Sequence, residues 1–135
     1  LLVDWSRAFH REAAPAYPEP DFARYVGLRI EQGDAFVWIE NGQPLGMAAR
    51  ARRTTRGVCI NSVYTPPEAR GLGVATALVA TLTRDLLSTA DFCVLFTDLE
   101  NPTANRLYQK IGFRPVRGFT VHWFAPPPSA DTQRQ

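Results

Sequence analysis

Between residues 57 and 96 the chain reads, in order, GVCINSVYT, two prolines, the bend EARGLG, the run VATALVATLTRDLLS and the apolar stretch FCVLF. Val74, Leu78, Leu82 and Leu86 recur every fourth residue, which places them on one face of a helix running from Gly71 to about Ser88. Neither Pro66 nor Pro67 can donate to a strand ladder, so the first apolar run ends as a strand just before them. The stretch at 92 to 96 is continuously apolar, the pattern of a strand covered on both faces. Strand, helix and strand in this order predict a right-handed crossover between two parallel neighbours.

The flanking segments add antiparallel strands and helices. Leu2, Trp5 and Phe9 mark an amphipathic helix over residues 1 to 13. A proline-rich link follows, AAPAYPEP. A second helix then starts near Pro20 or Asp21 and ends before Gly33. Residues 35 to 53 read as two strands joined at Asn41 and Gly42, a strong hairpin signal, and 57 to 65 pairs antiparallel after the turn near TTRG. NPTANRLYQKIGF is a short helix with Asn101 as cap, Pro102 at its first position and Gly112 at its stop. FRPVRGFTVHWFAP, 113 to 126, is expected to supply one or two closing strands. The last nine residues, 127 to 135, read as a disordered tail. The expected architecture is thus an α/β mixed sheet with antiparallel strands first, a parallel crossover pair after them and helices on both faces. The 135 residues suit a single domain, 1 to 126.

Composition narrows the class of function. The net charge of +2 is well below what nucleic-acid binding usually requires. No apolar run approaches the roughly 18 residues that span a bilayer. Cys59 and Cys93 each lie within an apolar run, so two free thiols, no thiolate metal site and a reducing compartment are expected. The opening LLVDWSRAFH has no basic leader and meets Asp4 and Trp5 early, which points to the cytoplasm. The chain begins at Leu1 rather than Met, as a trimmed chain or a piece of a longer protein would.

The glycine bend carries the chemistry. Gly71 and Gly73 stand where a strand has ended and a helix begins, so unpaired amides face outward at the positive end of the helix dipole, with Arg70 beside them. Turn and cap chemistry explains the same residues, and so does a phosphate cradle that a backbone without Cβ atoms could approach closely. A P-loop is excluded because no Gly-Lys-Ser/Thr follows. A dinucleotide fingerprint is excluded because Thr76 occupies the place of the third glycine.

The stretch RGLGVA is similar to the phosphate loop of the GNAT superfamily of N-acetyltransferases, Arg/Gln-x-x-Gly-x-Gly/Ala, with Arg70, Gly73 and Ala75 matching. A register beginning at Glu68, with Gly71 and Gly73 as the glycines, would present the same amides. NPTANRLYQKIGFRPV resembles the second signature of that family, and the likeness spans roughly residues 20 to 125. The strand that normally precedes the first helix of the family is missing.

The resemblance implies acetyl-CoA as cosubstrate and an amine of a small molecule or peptide as acceptor. It implies that the backbone of Val63, Tyr64 and Thr65 pairs with the pantetheine arm, and that Arg70, Gly71, Leu72, Gly73, Val74, Ala75 and Thr76 face the diphosphate. It implies cofactor contacts from Asn101 and Asn105, and Tyr108 as the acid that protonates the departing thiolate. Asn101, Ala104, Asn105 and Tyr108 form one stripe of their helix, a pattern that a cap, a solvated Asn and a half-buried Tyr would also produce. No residue stands out as general base: relatives carry Glu where this chain has Phe96, or on the strand of Asn61 and Ser62. Glu40, His10, His122, Asp98 and Glu100 stay open, as does deprotonation through water. RARRTTR, 50 to 56, could meet the adenosine phosphate or an acidic partner, or be a solvated turn. Trp5, Phe9, Tyr25 and Trp38 could line an acceptor pocket or pack in the core. A homodimer and a covalent partner domain in a longer chain are both compatible, and so is a non-catalytic acyl-CoA sensor.

Overall fold

The computed structural model describes residues 1–122, which form helices α1 (Leu2–Ala13), α2 (Phe22–Glu31), α3 (Val74–Leu87) and α4 (Pro102–Ile111) with strands β1 (Ala35–Glu40), β2 (Gln43–Ala51), β3 (Gly57–Tyr64) and β4 (Phe92–Leu95). A single 3-10 turn spans Pro67–Ala69. The Asp21 side chain caps α2 by accepting from the Arg24 amide at 3.0 Å, and Asn101 caps α4 by accepting from the Ala104 amide at 3.1 Å. Asn41 and Gly42 both have positive φ, 50° and 76°, as the two-residue turn that matches strand twist requires.

The strands lie in the order β1-β2-β3-β4, antiparallel up to β3 and parallel between β3 and β4. Adjacent residues of a strand face opposite sides. Ala48, Val58 and Ile60 therefore meet Leu78, Val79, Leu82 and Leu86 of α3 on one side, where Tyr108, Ile111 and Phe113 also pack. On the other side α1 and α2 cover the sheet: the Trp5 ring lies 6.2 Å from that of Tyr64, and the Tyr25 hydroxyl is 3.3 Å from Ser62 Oγ. Ile60 and Val79 are almost wholly enclosed, and burial of such side chains stabilises by about 1.5–3 kcal/mol each.

Three expectations are corrected. Helix α3 begins at Val74, not Gly71, because Gly71 and Gly73 adopt φ of 77° and 79°, which a right-handed helix cannot contain. Strand β4 is not covered on both faces. Cys93 and Leu95 pack toward α3, whereas Phe92, Val94 and Phe96 are 47%, 37% and 52% exposed, because α1 and α2 lie over the other strands. Residues 113–122 form no strand, so β4 pairs with β3 alone among the described residues. The remainder of the expected closing strands, 123 to 126, and the tail lie outside the described residues.

One carboxylate ties α2 to the hairpin. Asp34, just ahead of β1, is 9% exposed at its side chain. It accepts from Arg50 Nε at 2.6 Å and Arg53 Nη2 at 2.8 Å, with Arg29 Nη1 at 3.8 Å. Arg29 also donates to the Arg50 carbonyl, and Arg50 to the Gly33 carbonyl. Burial by itself would push the Asp34 carboxyl up; the hydrogen bonds and charges of Arg53 and Arg50 outweigh it and hold its pKa below the usual aspartate value.

The Asp34→Asn variant should therefore lose about 3 kcal/mol of stability at pH 7, since it leaves partly buried guanidinium groups without their anion. A depressed native pKa contributes stability above the unfolded value near 3.9 and loses it as pH falls through the native one. Urea unfolding of both proteins should show the deficit narrowing below pH 4 and closing at still lower pH; a constant deficit would exclude the charge as its cause.

Candidate functional site

The ladder between β3 and β4 stops at Ile60 opposite Leu95, yet β3 continues to Tyr64. Among the described residues, Asn61 to Tyr64 thus have a neighbour on the β2 side only. That side is irregular as well: Ala49 faces Asn61 while Met47 faces Tyr64, so β3 carries one extra residue there. Ser62 takes it up with φ of 51°, a left-handed conformation that costs a non-glycine residue about 1 kcal/mol. A bulge of this kind bends a strand and re-aims its groups. Asn61 Oδ1 and Thr65 Oγ1 flank the segment, buried and without a hydrogen-bond partner among the described residues.

Beyond Tyr64, Pro66 and the 3-10 turn carry the chain to the glycine bend. A Cβ at Gly71 or Gly73 would meet nothing within 4 Å. The positive φ is what calls for glycine here, not crowding. The first bond of α3 runs from the Ala77 amide to the Gly73 carbonyl at 3.0 Å, and no side chain among the described residues caps the helix. The amides of Val74, Ala75 and Thr76 consequently have no intrahelical acceptor and point out at the positive end of the dipole. Beneath them Gly46 of β2 permits a close approach: a Cβ there would lie 2.9 Å from Val74 Cγ1 and 3.2 Å from the Tyr64 carbonyl oxygen.

Arg70 is not a free cation beside the bend. Its Nε donates to the Thr65 carbonyl at 2.9 Å, its Nη2 donates to both Glu12 oxygens at 3.0 and 2.8 Å, and its guanidinium lies 5.7 Å from the Tyr64 ring centre. The side chain joins the bend to α1 and to the end of β3. Nothing in the sequence singled out Glu12, whose partner lies 58 residues away.

On α4 the two asparagines are occupied locally. Asn101 Oδ1 serves as the helix cap, and Asn105 Nδ2 donates to the Asp98 carbonyl at 3.0 Å. Tyr108 is half-buried against the α3 cluster, with the Phe113 ring 6.2 Å away, and its hydroxyl has no hydrogen-bond partner among the described residues. Burial pushes the Tyr108 phenol above its ordinary pKa, which keeps it protonated at neutral pH. Burial likewise pushes Cys93 up to about 11 and Cys59 upward, so neither thiol is a ready nucleophile.

The residues considered as bases do not converge. Glu40 ends β1 at the hairpin turn, His10 packs edge-on against Phe22, and His122 is exposed. Asp98 Oδ1 accepts from the Glu100 amide within a turn, and Phe96 packs with Phe119. Trp38 packs against the α3 cluster and Tyr25 against Ser62. The gap beneath α1 and α2 measures only about 20 Å³, room for a water and not for an acceptor. The arginine-rich turn after β2 lies where β3 begins, a full strand away from the bend. It does not meet a phosphate held at Gly71 and Gly73.

A family model described as the acetyltransferase (GNAT) family matches residues 1–113. No curated protein matches the sequence. Among solved structures, the chain is similar to a protein of Agrobacterium tumefaciens str. C58 assigned as an acetyltransferase, at 21% identity over 90% of this chain and 93% of that one, TM-score 0.69. It is also similar to AAC(6')-Iy, an aminoglycoside N-acetyltransferase solved with the bisubstrate analogue CoA-S-monomethyl-acetylneamine, at 16% identity over 92% of each chain, TM-score 0.70. A third likeness is to an acetyltransferase by assignment from Clostridium acetobutylicum, solved with acetyl-CoA, at 18% identity over 90% and 86%, TM-score 0.66. At these identities the likeness is one of fold.

Replacing Arg70 with Met should remove the bonds that moor the bend while leaving the glycine dihedrals intact. The pair with Glu12 is half-exposed, so a loss of about 1 kcal/mol of local stability is expected. Hydrogen exchange at the amides of Ala69 and Ala77, which donate to the Pro66 and Gly73 carbonyls on either side of the bend, should accelerate roughly fivefold with the sheet unaffected; unchanged exchange would show that Arg70 does not hold the bend.

Proposed function

We propose, from the premise that the chain belongs to the GNAT acetyltransferase family, that it moves an acetyl group from acetyl-CoA to an amine of a small molecule or peptide by direct attack. The observation that carries this reading is the end of the β3–β4 ladder at Ile60 while β3 runs on, followed by a glycine bend whose helix amides have no intrahelical acceptor. An extended thioester arm and a diphosphate need those two features in that order along one strand.

The chain's groups divide the work. The one-sided backbone of Val63, Tyr64 and Thr65 pairs with the pantetheine arm as an added strand would. The amides of Gly71, Leu72, Gly73, Val74, Ala75 and Thr76 receive the diphosphate. Arg70 acts chiefly by positioning that bend. Asn101 and Asn105 contribute through the shape of the α4 entrance, their side chains being bonded to it, and Asn101 keeps an amide nitrogen for the cofactor. An amide of the bulged segment near Val63 donates to the carbonyl oxygen as the amine nitrogen bonds to the carbonyl carbon. As the carbon–sulfur bond breaks, Tyr108 gives its proton to the sulfur, and the proton lost by the amine leaves to water or a base.

The raised Tyr108 pKa keeps the acid loaded and makes the transfer to a thiolate, whose conjugate acid lies near 8.5, more uphill than for an ordinary phenol. Acetyl-CoA supplies an activated acyl group; the chain orients it and excludes water. A second reading, an acyl-CoA sensor without turnover, is favoured by the absence of a carboxylate at Asn61 or Phe96.

Coenzyme A should raise the melting temperature by mass action, and ATP or NAD should not. Gly73→Asp places a negative charge and a strained φ at the cradle and should weaken coenzyme A at least about tenfold by calorimetry; wild-type affinity would remove the cradle from the proposal. A thiol-release assay with acetyl-CoA over amines, amino acids and peptides identifies the acceptor.

Tyr108→Phe should retain coenzyme A affinity and slow turnover about tenfold to a hundredfold. Because the acid must be protonated and its pKa is raised, kcat of the wild type should show no alkaline decline from this group until above about pH 10. Coenzyme A binding without thiol release for any amine would select the sensor.

A further inference from the structure

At the other end of β3 from the glycine bend, roughly 23 Å away at about 3.3 Å per residue, an open groove of about 440 Å³ is lined by Arg29, Gln32, Asp34, Ala51, Arg52 and Arg53. Its charge does not balance. Arg29, Arg50 and Arg53 share the single carboxylate of Asp34, and Arg52 makes no ion pair among the described residues. Arg56, the next arginine along, is already matched by Asp91 at 2.6 Å. The groove is lined by three guanidinium groups and one carboxylate, so two positive charges are left over, and Arg50 behind Asp34 adds a third. Two of the four side chains, Arg29 and Arg50, are only 24% and 22% exposed. Holding cations together out of water is costly unless an anion joins them.

The guanidinium groups are also fixed in place. Arg53 is hydrogen-bonded to Asp34 and Arg29 to the Arg50 carbonyl, each with further N–H groups to offer. Arg52 has φ of 48°, and its guanidinium lies 5.2 Å from the centre of the Phe96 ring, which limits its freedom. Planar donors held in this way suit two-point recognition of carboxylate or phosphate oxygens.

We propose that this groove binds a small oxyanion carrying two negative charges, a phosphate monoester or a dicarboxylate, held by Arg52, Arg53 and Arg29. The site is separate from the bend and does not depend on the acetyl-transfer reading.

Calorimetric titration with inorganic phosphate and with succinate, at constant ionic strength, tests it on the wild type, Arg52→Ala, Arg53→Gln and Gly73→Asp. At least one anion should bind one-to-one with Kd of about 1 mM or tighter. Saturation by phosphate alone identifies the phosphate class, and by succinate alone the dicarboxylate class. Arg52→Ala, which leaves the Asp34 bonds intact, should weaken binding about tenfold, Arg53→Gln should weaken it similarly, and Gly73→Asp should bind as the wild type does. No saturable binding of either anion, binding unchanged in both arginine variants, or loss in Gly73→Asp would overturn the proposal, the last by placing the anion in the bend.

Discussion

The unequal reach of β3 and β4 organises this molecule. A parallel pair shares a ladder only as far as the shorter strand extends, and β4 ends at Leu95 while β3 goes on to Tyr64. The surplus length of β3 therefore has main-chain groups on one side with no strand to meet them, a situation that usually carries a cost unless water or a ligand intervenes. The bulge at Ser62 lies in this surplus, and the glycine bend follows directly from its end. A strand left open, a strained residue and an uncapped helix start are each unfavourable alone; together they form a continuous main-chain surface.

Such a surface needs rigid surroundings, and these come from both faces of the sheet. On one side α3 anchors the bend through Val74, Leu78 and Val79, and Gly46 lets the helix start settle against the end of β3. On the other side α1 reaches the bend through Glu12 and Arg70, with Trp5 and Tyr64 packed between them. The Asp34 cluster closes the far end, where α2 enters the hairpin. The two ends of β3 thus differ in kind: main-chain donors at one, guanidinium groups around a carboxylate at the other.

Much of the fold was legible in sequence because it rests on local rules. Asn41–Gly42 demands its turn, Asp21 and Asn101 cap by reaching three residues along, and the four-residue spacing in α3 repeats over the whole helix. The GNAT resemblance, carried by the bend and by the Asn101 to Tyr108 stripe, agrees with the family to which the chain belongs. The local rules failed where coverage depends on other segments. The apolar run 92 to 96 looks doubly covered because apolar content does not say which neighbours exist, and only one face of β4 receives a helix.

The site was legible as residue types and not as contacts. Gly71 and Gly73 could be placed at a bend, because only glycine takes φ near 78° at little cost and the prolines before them end a strand. That Arg70 turns back to Glu12, that Asn105 holds the Asp98 loop, and that Ser62 absorbs an extra residue depend on partners 7 to 58 positions away or on strand register. Sequence alone determined the order of strand, bend and helix, since dihedral restriction and periodicity are properties of neighbouring residues. Tertiary structure alone decided which amides stay unpaired, which cations are already spent and which remain in surplus, since those follow from what the fold brings within hydrogen-bond distance.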